Sequence, residues 1–415
     1  MESVEVLVVG GGPAGSTVAY ELARAGHEVL VIEEHARIGY PVQCAGLVSQ
    51  RVLDLAGSTR FVLRPVHGAT VLSPSLQSLS FRARDPRAFV INRAGLDIYL
   101  AERARQAGAR IEPRWKFERR ESSGSDSVEV RLTGPDGNSR SLRATLVIGA
   151  DGVASAVARA FRLRRPVEIL PAFEAEFDAS AGDPDQVEVY LGNQISPGLF
   201  GWWIPNGAGG ARVGVASRAD GTPARSYYDR LVQQVDRLHG TALPAPTGFL
   251  VSGIPIGTVP RTHDDRVLLV GDAAAQVKPL SGGGIFTGMR CAQIAAEVAH
   301  SALRQRNVSR SGLASYEARW RAEFGEEFSK ALYLRRLFLR LSDRDLEAVL
   351  DALRSSALES TIVAFGDIDF PTHVARSVLR QSPSLMRLFP KALGALRTSG
   401  ELRAPDLDPG PLRNA

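Results

Sequence analysis

Cysteine is scarce in this chain. Only Cys44 and Cys291 occur among its 415 residues, and two cysteines cannot build the disulfide framework of a small secreted domain. The cysteines and the seven histidines also lack the close spacing of a structural zinc site. We therefore expect a protein of a reducing compartment, without a resident metal, that is held together by a hydrophobic core.

Long apolar runs are also missing. No stretch approaches the roughly 18 uninterrupted apolar residues of a membrane-spanning helix. Strand-like residues begin within three positions of Met1, which leaves no room for the charged and apolar regions of a secretory leader. The expectation is a cytoplasmic protein whose contact with a membrane, where it occurs, is peripheral and on the inner face.

A strong charge bias is the third absence. The formal net charge is +5, with 44% hydrophobic and 23% charged residues, as in ordinary globular proteins. No cluster of basic residues is interleaved with aromatic residues, which is the pattern of a nucleic-acid-binding surface. We therefore expect no nucleic-acid partner.

A glycine-rich turn near the start of the chain carries the first chemical signal. The apolar run 4–9 predicts a buried parallel strand, residues 16–25 a helix and residues 28–32 a second strand. The turn between strand and helix reads GGGPAG, which matches the GxGxxG pattern that binds a dinucleotide pyrophosphate at a helix start. An acid at the end of the second strand would accept hydrogen bonds from ribose, and Glu34 is the alternative for that role. The predicted cofactor residues are Gly10, Gly12, Pro13, Ala14, Gly15 and Glu33.

Two later strands end in similar turns. Residues 146–152 read LVIGADG and residues 268–274 read LLVGDAA. Either turn alone could be one in which an aspartate caps its own backbone. In this order, the three turns resemble the fingerprints of the p-hydroxybenzoate-hydroxylase-like FAD superfamily. That resemblance implies FAD as cofactor, with Asp151 beside the nucleotide and Gly271 and Asp272 at the ribitol chain.

A second glycine group follows the third turn. Residues 279–285 open an alanine-rich helix, and its exposed backbone N–H groups can hold the negative charge of a reduced flavin. The predicted contacts are Pro279, Gly282, Gly283, Gly284 and Ile285. Arg93, four residues before Asp97, resembles the superfamily's arginine beside the flavin or its phosphates. A surface salt bridge is the alternative for this pair.

The middle of the chain carries a more specific pattern. Residues 190–205 read YLGNQISPGLFGWWIP, which resembles, without a gap, the motif YxGxxxAPGGYxWxFP of the geranylgeranyl reductase family. The motif implies substrate contacts at Tyr190, Gly192, Pro197, Gly198, Trp202, Trp203 and Pro205. Four positions depart from it, at Ser196, Leu199, Phe200 and Ile204. Because these departures fall on the lipid-facing motif, the chain length and head group that are accepted stay open.

Residues 41–46 resemble the PxxC loop of the same family, which lies near the flavin. The resemblance implies cofactor contacts at Cys44 and Ala45, and Cys44 is the candidate proton donor. Packing near the flavin without a chemical role is the alternative, since free cysteines are often simply buried. We read Cys291, in the middle of a helix, as a core residue.

The family resemblance implies an FAD-dependent reductase of isolated double bonds in isoprenoid chains such as geranylgeranyl lipids, with NAD(P)H or ferredoxin as electron donor. Such a chain needs an apolar tunnel that excludes water. Trp202 and Trp203 would supply its wall, although aromatic residues at strand spacing are usually core. The alternative is an aromatic monooxygenase or halogenase on the same FAD scaffold. The adjacent tryptophans do not fit the WxWxIP spacing of a halogenase.

The expected fold is α/β, with a Rossmann-type FAD-binding domain, a mixed-sheet substrate domain and a C-terminal helical extension. The FAD-binding domain would be discontinuous, and the expected domains are 1–65, 90–165 and 255–305 for FAD, 66–89 and 166–254 for substrate, 306–403 for the helices and 404–415 for a loose tail.

Within the expected helical extension, apolar residues recur at helical spacing from Leu334 to Leu341, flanked by arginines. This predicts a basic amphipathic helix. It would pack on the catalytic domains with its arginines in solvent, or lie on anionic lipid.

Overall fold

The computed structural model describes residues 2–124, 126–178, 181–207, 209–355 and 358–381. The expected loose tail, 404–415, lies outside the described residues, as does the end of the expected helical extension. The fold is α/β, as predicted, with a Rossmann-type sheet, a second mixed sheet and a series of C-terminal helices.

Strands and helices are interspersed up to β18, and among the described residues after β18 the longer elements are all helices. The strands are β1 (Glu2–Val9), β2 (Val29–Glu33), β3 (Leu47–Val48), β4 (Val62–Val66), β5 (Gly68–Leu72), β6 (Ser78–Arg82), β7 (Ala88–Ile91), β8 (Arg110–Pro113), β9 (Lys116–Ser123), β10 (Val128–Thr133), β11 (Ser139–Gly149), β12 (Glu168–Phe177), β13 (Gln186–Tyr190), β14 (Gly201–Pro205), β15 (Ala211–Ala216), β16 (Gly248–Ile256), β17 (His263–Asp264) and β18 (Val267–Leu269). The helices are α1 (Pro13–Arg24), α2 (Gln50–Ala56), α3 (Arg93–Gln106), α4 (Ala156–Ala160), α5 (Ala224–His239), α6 (Ile285–Arg304), α7 (Arg310–Phe338), α8 (Asp343–Ser355), α9 (Glu359–Phe365) and α10 (Thr372–Gln381).

β1 is central in the first sheet, whose main path runs β17-β18-β11-β1-β2-β8. It lies parallel to both β2 and β11. Its apolar residues alternate between two cores, because successive side chains of a strand point to opposite faces. Val6 and Val8 pack with α1, α3 and α6 on one face, whereas Leu7 and Val9 pack with β9, β10 and α4 on the other. The continuous apolar run that predicted a buried parallel strand is thereby explained.

The second sheet has seven strands in the order β16-β12-β15-β14-β13-β5-β6. β13 pairs parallel with β5, and the other pairs are antiparallel. α5 covers one face through Tyr227, Tyr228 and Leu231. We call this the outer face of the second sheet. The inner face packs against residues of the first part of the chain, including Val66 and Val90. A small antiparallel sheet, β3-β7-β4, is formed by strands from residues 47–91.

α7 anchors the C-terminal helices to the first sheet. Tyr316, Trp320 and Phe324 are buried in the same core as α1 and α6, and the Tyr316 hydroxyl donates to the Leu269 carbonyl at 2.8 Å. α7 ends at Phe338, so Leu341, the last apolar residue of the predicted amphipathic helix, lies beyond the observed helix. Arg335 is 3% exposed and donates to the Gly198 carbonyl and to Glu168. The prediction that this arginine is solvated is therefore wrong, because its charge is paired inside the protein.

Candidate functional site

The glycine turn between β1 and α1 is shaped by close backbone packing at two positions. Gly10 has φ +104°, and a Cβ there would collide with the Ala150 carbonyl. A Cβ on Gly15 would collide with the Gly10 carbonyl. A Cβ on Gly12 meets no atom within 4 Å. Gly10 and Gly15 are thus required by the chain itself, whereas the space at Gly12 is open at the start of α1, where a phosphate group would bind.

Three turns that are far apart in the sequence meet at this point. Gly10 packs against the backbone of Ala150 and Asp151 in the second turn. Gly271 in the third turn has φ +64°, and a Cβ there would stand 3.0 Å from the side chain of Ala14. Pro13 and Ala14 form the first residues of α1. The carboxyl ends of β1, β11 and β18 therefore present their turns at one edge of the sheet, where nucleotide cofactors bind in folds of this type.

A cleft of about 380 Å³ opens at these turns. Residues on its wall include the first and second turns, the end of β2, the loop 39–43 and the start of α3. Glu33 Oε2 accepts from the Gly11 N–H at 2.8 Å, and Oε1 accepts from the His35 N–H at 3.0 Å. Glu34 instead pairs with Lys116 at the rim of the cleft. Glu33 is thus the acid that is tied to the glycine turn, and its contact with ribose stays a prediction.

The pair Arg93–Asp97 lies on the wall of this cleft and not on the protein surface. The guanidinium donates two hydrogen bonds to the carboxylate, at 2.8 and 2.9 Å, and the side chains are 16% and 6% exposed. Burial opposes the charged form, but Asp97 and Cys44 together raise the pKa of Arg93 above its ordinary value. A fixed positive charge therefore lies in the cleft, close to Cys44.

The Asp151 carboxylate is used by its own chain. It accepts from the Ser155 hydroxyl at 2.7 Å and from the N–H groups of Ala156 and Val157 at 2.7 and 3.0 Å. Burial raises its pKa even against these hydrogen bonds. The side chain thereby holds the start of α4 against the second turn, and any contact with a nucleotide comes in addition to this structural role.

Asp272 has a different environment. Burial raises its pKa, and the positive charge of Arg93 opposes the shift. In the part of the chain that the structure describes, no group donates a hydrogen bond to the Asp272 carboxylate. This carboxylate lies close to the second glycine group, because a Cβ on Gly284 would stand 3.0 Å from Oδ1. Asp272 is partly exposed, whereas its neighbours Gly271 and Ala273 are buried. An unpaired carboxylate at the cofactor turns is consistent with a ligand that supplies hydroxyl donors, as the ribitol chain of FAD does.

The second glycine group lies next to Asp272 and starts α6. Gly284 is the residue before the helix, Ile285 is its first residue, and Gly282 has φ +72°. A Cβ on Gly282 would stand 3.0 Å from Ile254 of β16, so this turn, which Pro279 precedes, borders the inner face of the second sheet. The geometry leaves the N-terminal end of α6 available to an anionic group.

Lys278, which the sequence did not point to, supports the second glycine group. It is 6% exposed, and its ammonium group donates to the Ile368 carbonyl at 2.9 Å and to Asp369 Oδ1 at 2.8 Å. Asp369 also pairs with Arg51 of α2. The only sequence signal is a lysine directly before the PLSGGG turn. Its partners come some 90 residues later and could not be predicted.

The loop that carries Cys44 is held by an arginine of the second sheet. Cys44 is partly exposed, and its Sγ accepts from the Gly46 N–H at 3.4 Å. Arg212 of β15 donates to the Ala45 carbonyl at 2.8 Å and to the Ile91 carbonyl at 3.1 Å. Arg212 was not predicted, because nothing in its local sequence indicates a partner at Ala45. It joins the cofactor side of the molecule to the inner face of the second sheet.

The two predicted tryptophans point to opposite faces of β14. Trp203 is 1% exposed and packs with Tyr190 in the core beneath α5. The Tyr190 hydroxyl donates to Glu188 at 2.5 Å within that core. Trp202 lies on the inner face, beside the apolar clusters that include Ala45 and Ile254. The structure therefore brings Trp202 to the cofactor side and leaves Tyr190 and Trp203 in the outer core, where we assign them no substrate contact.

The loop before β14 packs against the C-terminal helices. Gly192 has φ +146° and Gly198 has φ +97°. The carbonyls of Pro197 and Gly198 accept from the Arg218 N–H and the Arg335 side chain, respectively. Pro205 ends β14. These positions shape the loop and the end of the strand, and their contact with substrate stays a prediction.

The turns, the cleft and the unpaired Asp272 carboxylate define an FAD-dependent oxidoreductase. Consistent with this class, residues 3–328 match the protein family described as "FAD binding domain". A relative from Methanopyrus kandleri named digeranylgeranylglycerophospholipid reductase 2 is 32% identical, over 92% of this chain and 98% of that protein. A relative of the same name from Methanothermobacter thermautotrophicus is 35% identical, over 86% of this chain and 93% of that protein. The chain belongs to the geranylgeranyl reductase family of FAD-dependent oxidoreductases.

Solved structures agree with this assignment. A geranylgeranyl bacteriochlorophyll reductase-like protein from Thermoplasma acidophilum superposes with a TM-score of 0.82 at 26% identity, over 96% of this chain and 99% of that one. CmlS, a flavin-dependent halogenase, superposes with a TM-score of 0.66 at 20% identity, over 96% and 79%. The likeness to the halogenase shows a common fold alone.

Proposed function

We propose that this protein uses FAD to saturate isolated double bonds in the isoprenoid chains of membrane lipids, with geranylgeranyl groups as the substrate class. The observation that carries the proposal is the position of Trp202. The family motif puts a tryptophan at this position, and its indole lies on an apolar sheet face that borders the Cys44 loop and the second glycine group. The names of the relatives, which span nearly the whole chain, support the same substrate class.

The inner face of the second sheet has the composition that a prenyl chain requires. An isolated double bond has no polar group by which it can be recognised, so binding depends on apolar contact and on exclusion of water. The apolar cluster on this face has a buried base of Leu170, Ala172 and Leu199. Its partly buried members, Phe200, Trp202 and Ile254, would contact the chain. We propose that the second sheet, from residues 68–82 and 168–256, forms the substrate domain.

The predicted cofactor residues would contact different parts of FAD. Gly12 and the start of α1 would hold the pyrophosphate, Glu33 the ribose, and Asp272 the ribitol chain. Bound and reduced, FAD supplies a hydride from its N5 atom. The Gly282 N–H already donates to the Lys278 carbonyl at 2.9 Å, so the N–H groups of Gly283 and Gly284, before α6, would stabilise negative charge at the pyrimidine end of the ring. Arg93 would add a fixed positive charge on the wall of the cleft.

The second hydrogen of the product must arrive as a proton. Cys44 is the proposed donor, because it lies beside Arg93 on the cofactor side of the molecule. Replacement of Cys44 by Ser should lower the rate of lipid reduction while FAD remains bound. An unchanged rate would remove the thiol from the reaction and leave packing as its role.

Contact with the membrane is part of the proposal. Among the residues described, no helix has both the length and the apolar character needed to cross a bilayer. We propose peripheral contact on the cytoplasmic face, where a prenylated lipid could enter the site. NAD(P)H or ferredoxin would supply the electrons that reduce FAD.

The competing function is an aromatic monooxygenase on the same scaffold, which the comparisons support less. The two differ in their need for oxygen. Purified protein, reduced chemically under anaerobic conditions, should be reoxidised when a geranylgeranylated lipid is added, as followed by return of the flavin absorbance. Reoxidation that requires oxygen and an aromatic compound, with no response to the lipid, would overturn the proposal.

A further inference from the structure

Glu174 is a buried carboxyl on the inner face of the second sheet, and it has no role in the reaction proposed above. It is 1% exposed, and within the described part of the chain its Oε1 has no hydrogen-bond partner. A buried polar atom without a partner destabilises a folded protein. Because the protein bears this cost on a face that borders the Cys44 loop and the second glycine group, we expect the Glu174 carboxyl to have a function.

The strand register places Glu174 in one row with Gly214 and Trp202. Glu174 of β12 pairs with Gly214 of β15, and Gly214 pairs in turn with Trp202 of β14. The Trp202 indole Nε1 donates to Glu174 Oε2 at 2.6 Å. A Cβ on Gly214 would stand 2.5 Å from the indole ring. Because Gly214 has no side chain, the indole can lie across β15 and reach the carboxyl two strands away.

The charge of Glu174 is poised to change near neutral pH. Burial raises the pKa of Glu174 to about 7, against the Trp202 hydrogen bond and the positive charge of Arg212, while the neighbouring Glu176 raises it further. Arg212 and Glu176 are themselves paired at 2.7 Å. Hydrogen bonds to an ionised acceptor are about twice as strong as neutral ones. The hydrogen bond from the Trp202 indole to Glu174 should therefore become stronger as the carboxyl ionises.

We propose that Glu174 is a positioning residue that fixes the Trp202 indole across Gly214, so that the ring presents its face to the prenyl chain. This inference rests on the proposed function, since the prenyl chain is the ligand of that face. An indole face is apolar and also attracts positive charge. It would suit a prenyl chain and the positive charge that develops on carbon when an alkene is protonated. Glu174 acts through Trp202 and need not touch the substrate.

The contact itself can be tested without substrate. The chain has four tryptophans, and the indole N–H signal of Trp202 in a nitrogen-15 NMR spectrum is identified by its loss in Trp202→Phe. In the native chain this signal should shift with pH, with a midpoint near 7. In Glu174→Gln the amide oxygen still accepts the hydrogen bond, and the signal should no longer titrate. A signal that titrates alike in both proteins would overturn the inference.

The effect on substrate is tested by the KM for a geranylgeranylated lipid. In the native protein KM should fall as pH rises through 7, whereas in Glu174→Gln it should stay at the low-pH value. Gly214→Ala should displace the indole and raise KM about tenfold, a loss of about 1.4 kcal/mol in binding. Gly248→Ala is the matched control on the same sheet, because a Cβ there meets no atom within 4 Å.

These outcomes separate the two proposals. A native KM that does not depend on pH, or one that depends on pH equally in Glu174→Gln, would overturn the positioning role. A native protein that reduces no prenylated lipid would overturn the proposed function, and the NMR titration would then decide the Glu174–Trp202 contact by itself.

Discussion

The Arg93 guanidinium meets the Asp97 carboxylate through two parallel hydrogen bonds, one turn apart on α3 and on the wall of the cofactor cleft. Cys44 lies close to the Arg93 member of this pair. The two hydrogen bonds hold the charged groups where water is largely excluded. Such a pair contributes little net stability, but removal of one partner leaves an uncompensated buried charge.

Replacement of Arg93 by Ala should therefore have two effects. The free energy of unfolding should fall by about 3 kcal/mol because Asp97 is left unpaired, and the affinity for FAD should fall because a positive charge is lost. The matched control is the double variant Arg93→Ala, Asp97→Ala. It should recover most of the stability in denaturant unfolding and none of the affinity in an FAD titration. Recovery of both would show that the arginine has only a structural role.

The glycines of the first turn should respond differently to a methyl group. Gly15→Ala should destabilise the protein by about 1–3 kcal/mol, because the added Cβ collides with the Gly10 carbonyl. Gly12→Ala should leave the stability of FAD-free protein within about 0.5 kcal/mol, since its Cβ meets no atom. It should nevertheless weaken FAD binding at least tenfold, about 1.4 kcal/mol. Unfolding curves and FAD titrations of both variants measure this, and a Gly12→Ala protein that binds FAD normally would contradict the assignment.

The adjacent tryptophans offer a matched pair of variants. Trp202→Phe should raise the KM for the lipid by about tenfold, or about 1.4 kcal/mol, since the inner face loses an indole and its hydrogen bond to Glu174. Trp203→Phe should change stability and leave this KM as it is, because its ring lies beneath α5. Equal effects of the two substitutions on KM would contradict the assignment of the two faces.

His239, at the end of α5, should make stability depend on pH. Its Nε2 lies 3.2 Å from Glu188, and this hydrogen bond, against some desolvation, raises the pKa of His239 above its ordinary value. The resulting stability is fully present below the ordinary histidine pKa of about 6.5 and is lost as pH rises through the higher value in the folded protein. Urea unfolding on either side of neutrality should show this loss, and the slope should be smaller in His239→Gln, in which the buried Glu174 carboxyl still contributes. An equal slope in both proteins would assign the whole loss to other groups.

The parts of the fold that could be predicted from the sequence are those set by local patterns. The run before Gly10, the GxGxxG turn and the helix after it are neighbours in the chain, so their periodicity and glycines predicted a βαβ unit correctly. The convergence of the three cofactor turns was predicted from a family resemblance, because no local rule connects Ala14 with Gly271.

Other features depend on contacts that local patterns do not contain. Arg212 and Lys278 have partners at Ala45 and Ile368, far along the chain. Glu174 reaches Trp202 only because Gly214 lies between them. The opposite orientation of Trp202 and Trp203 could have been predicted, because successive residues of a strand face opposite sides. The family motif instead led to both being assigned to the substrate. Arg335 was expected in solvent because a helical pattern does not show which neighbour covers it.

The central claim is that hydrogen is added to isolated double bonds of a prenyl chain with FAD as the source of hydride. Mass spectrometry of a geranylgeranylated lipid, after anaerobic incubation with the reduced protein in heavy water, tests it most directly. The account predicts a gain of one hydrogen pair per reduced bond, carried as deuterium at both carbons, because the proton and the N5 hydrogen of reduced FAD both exchange with heavy water. A lipid recovered unchanged, from protein that binds FAD and is fully reduced, would contradict it.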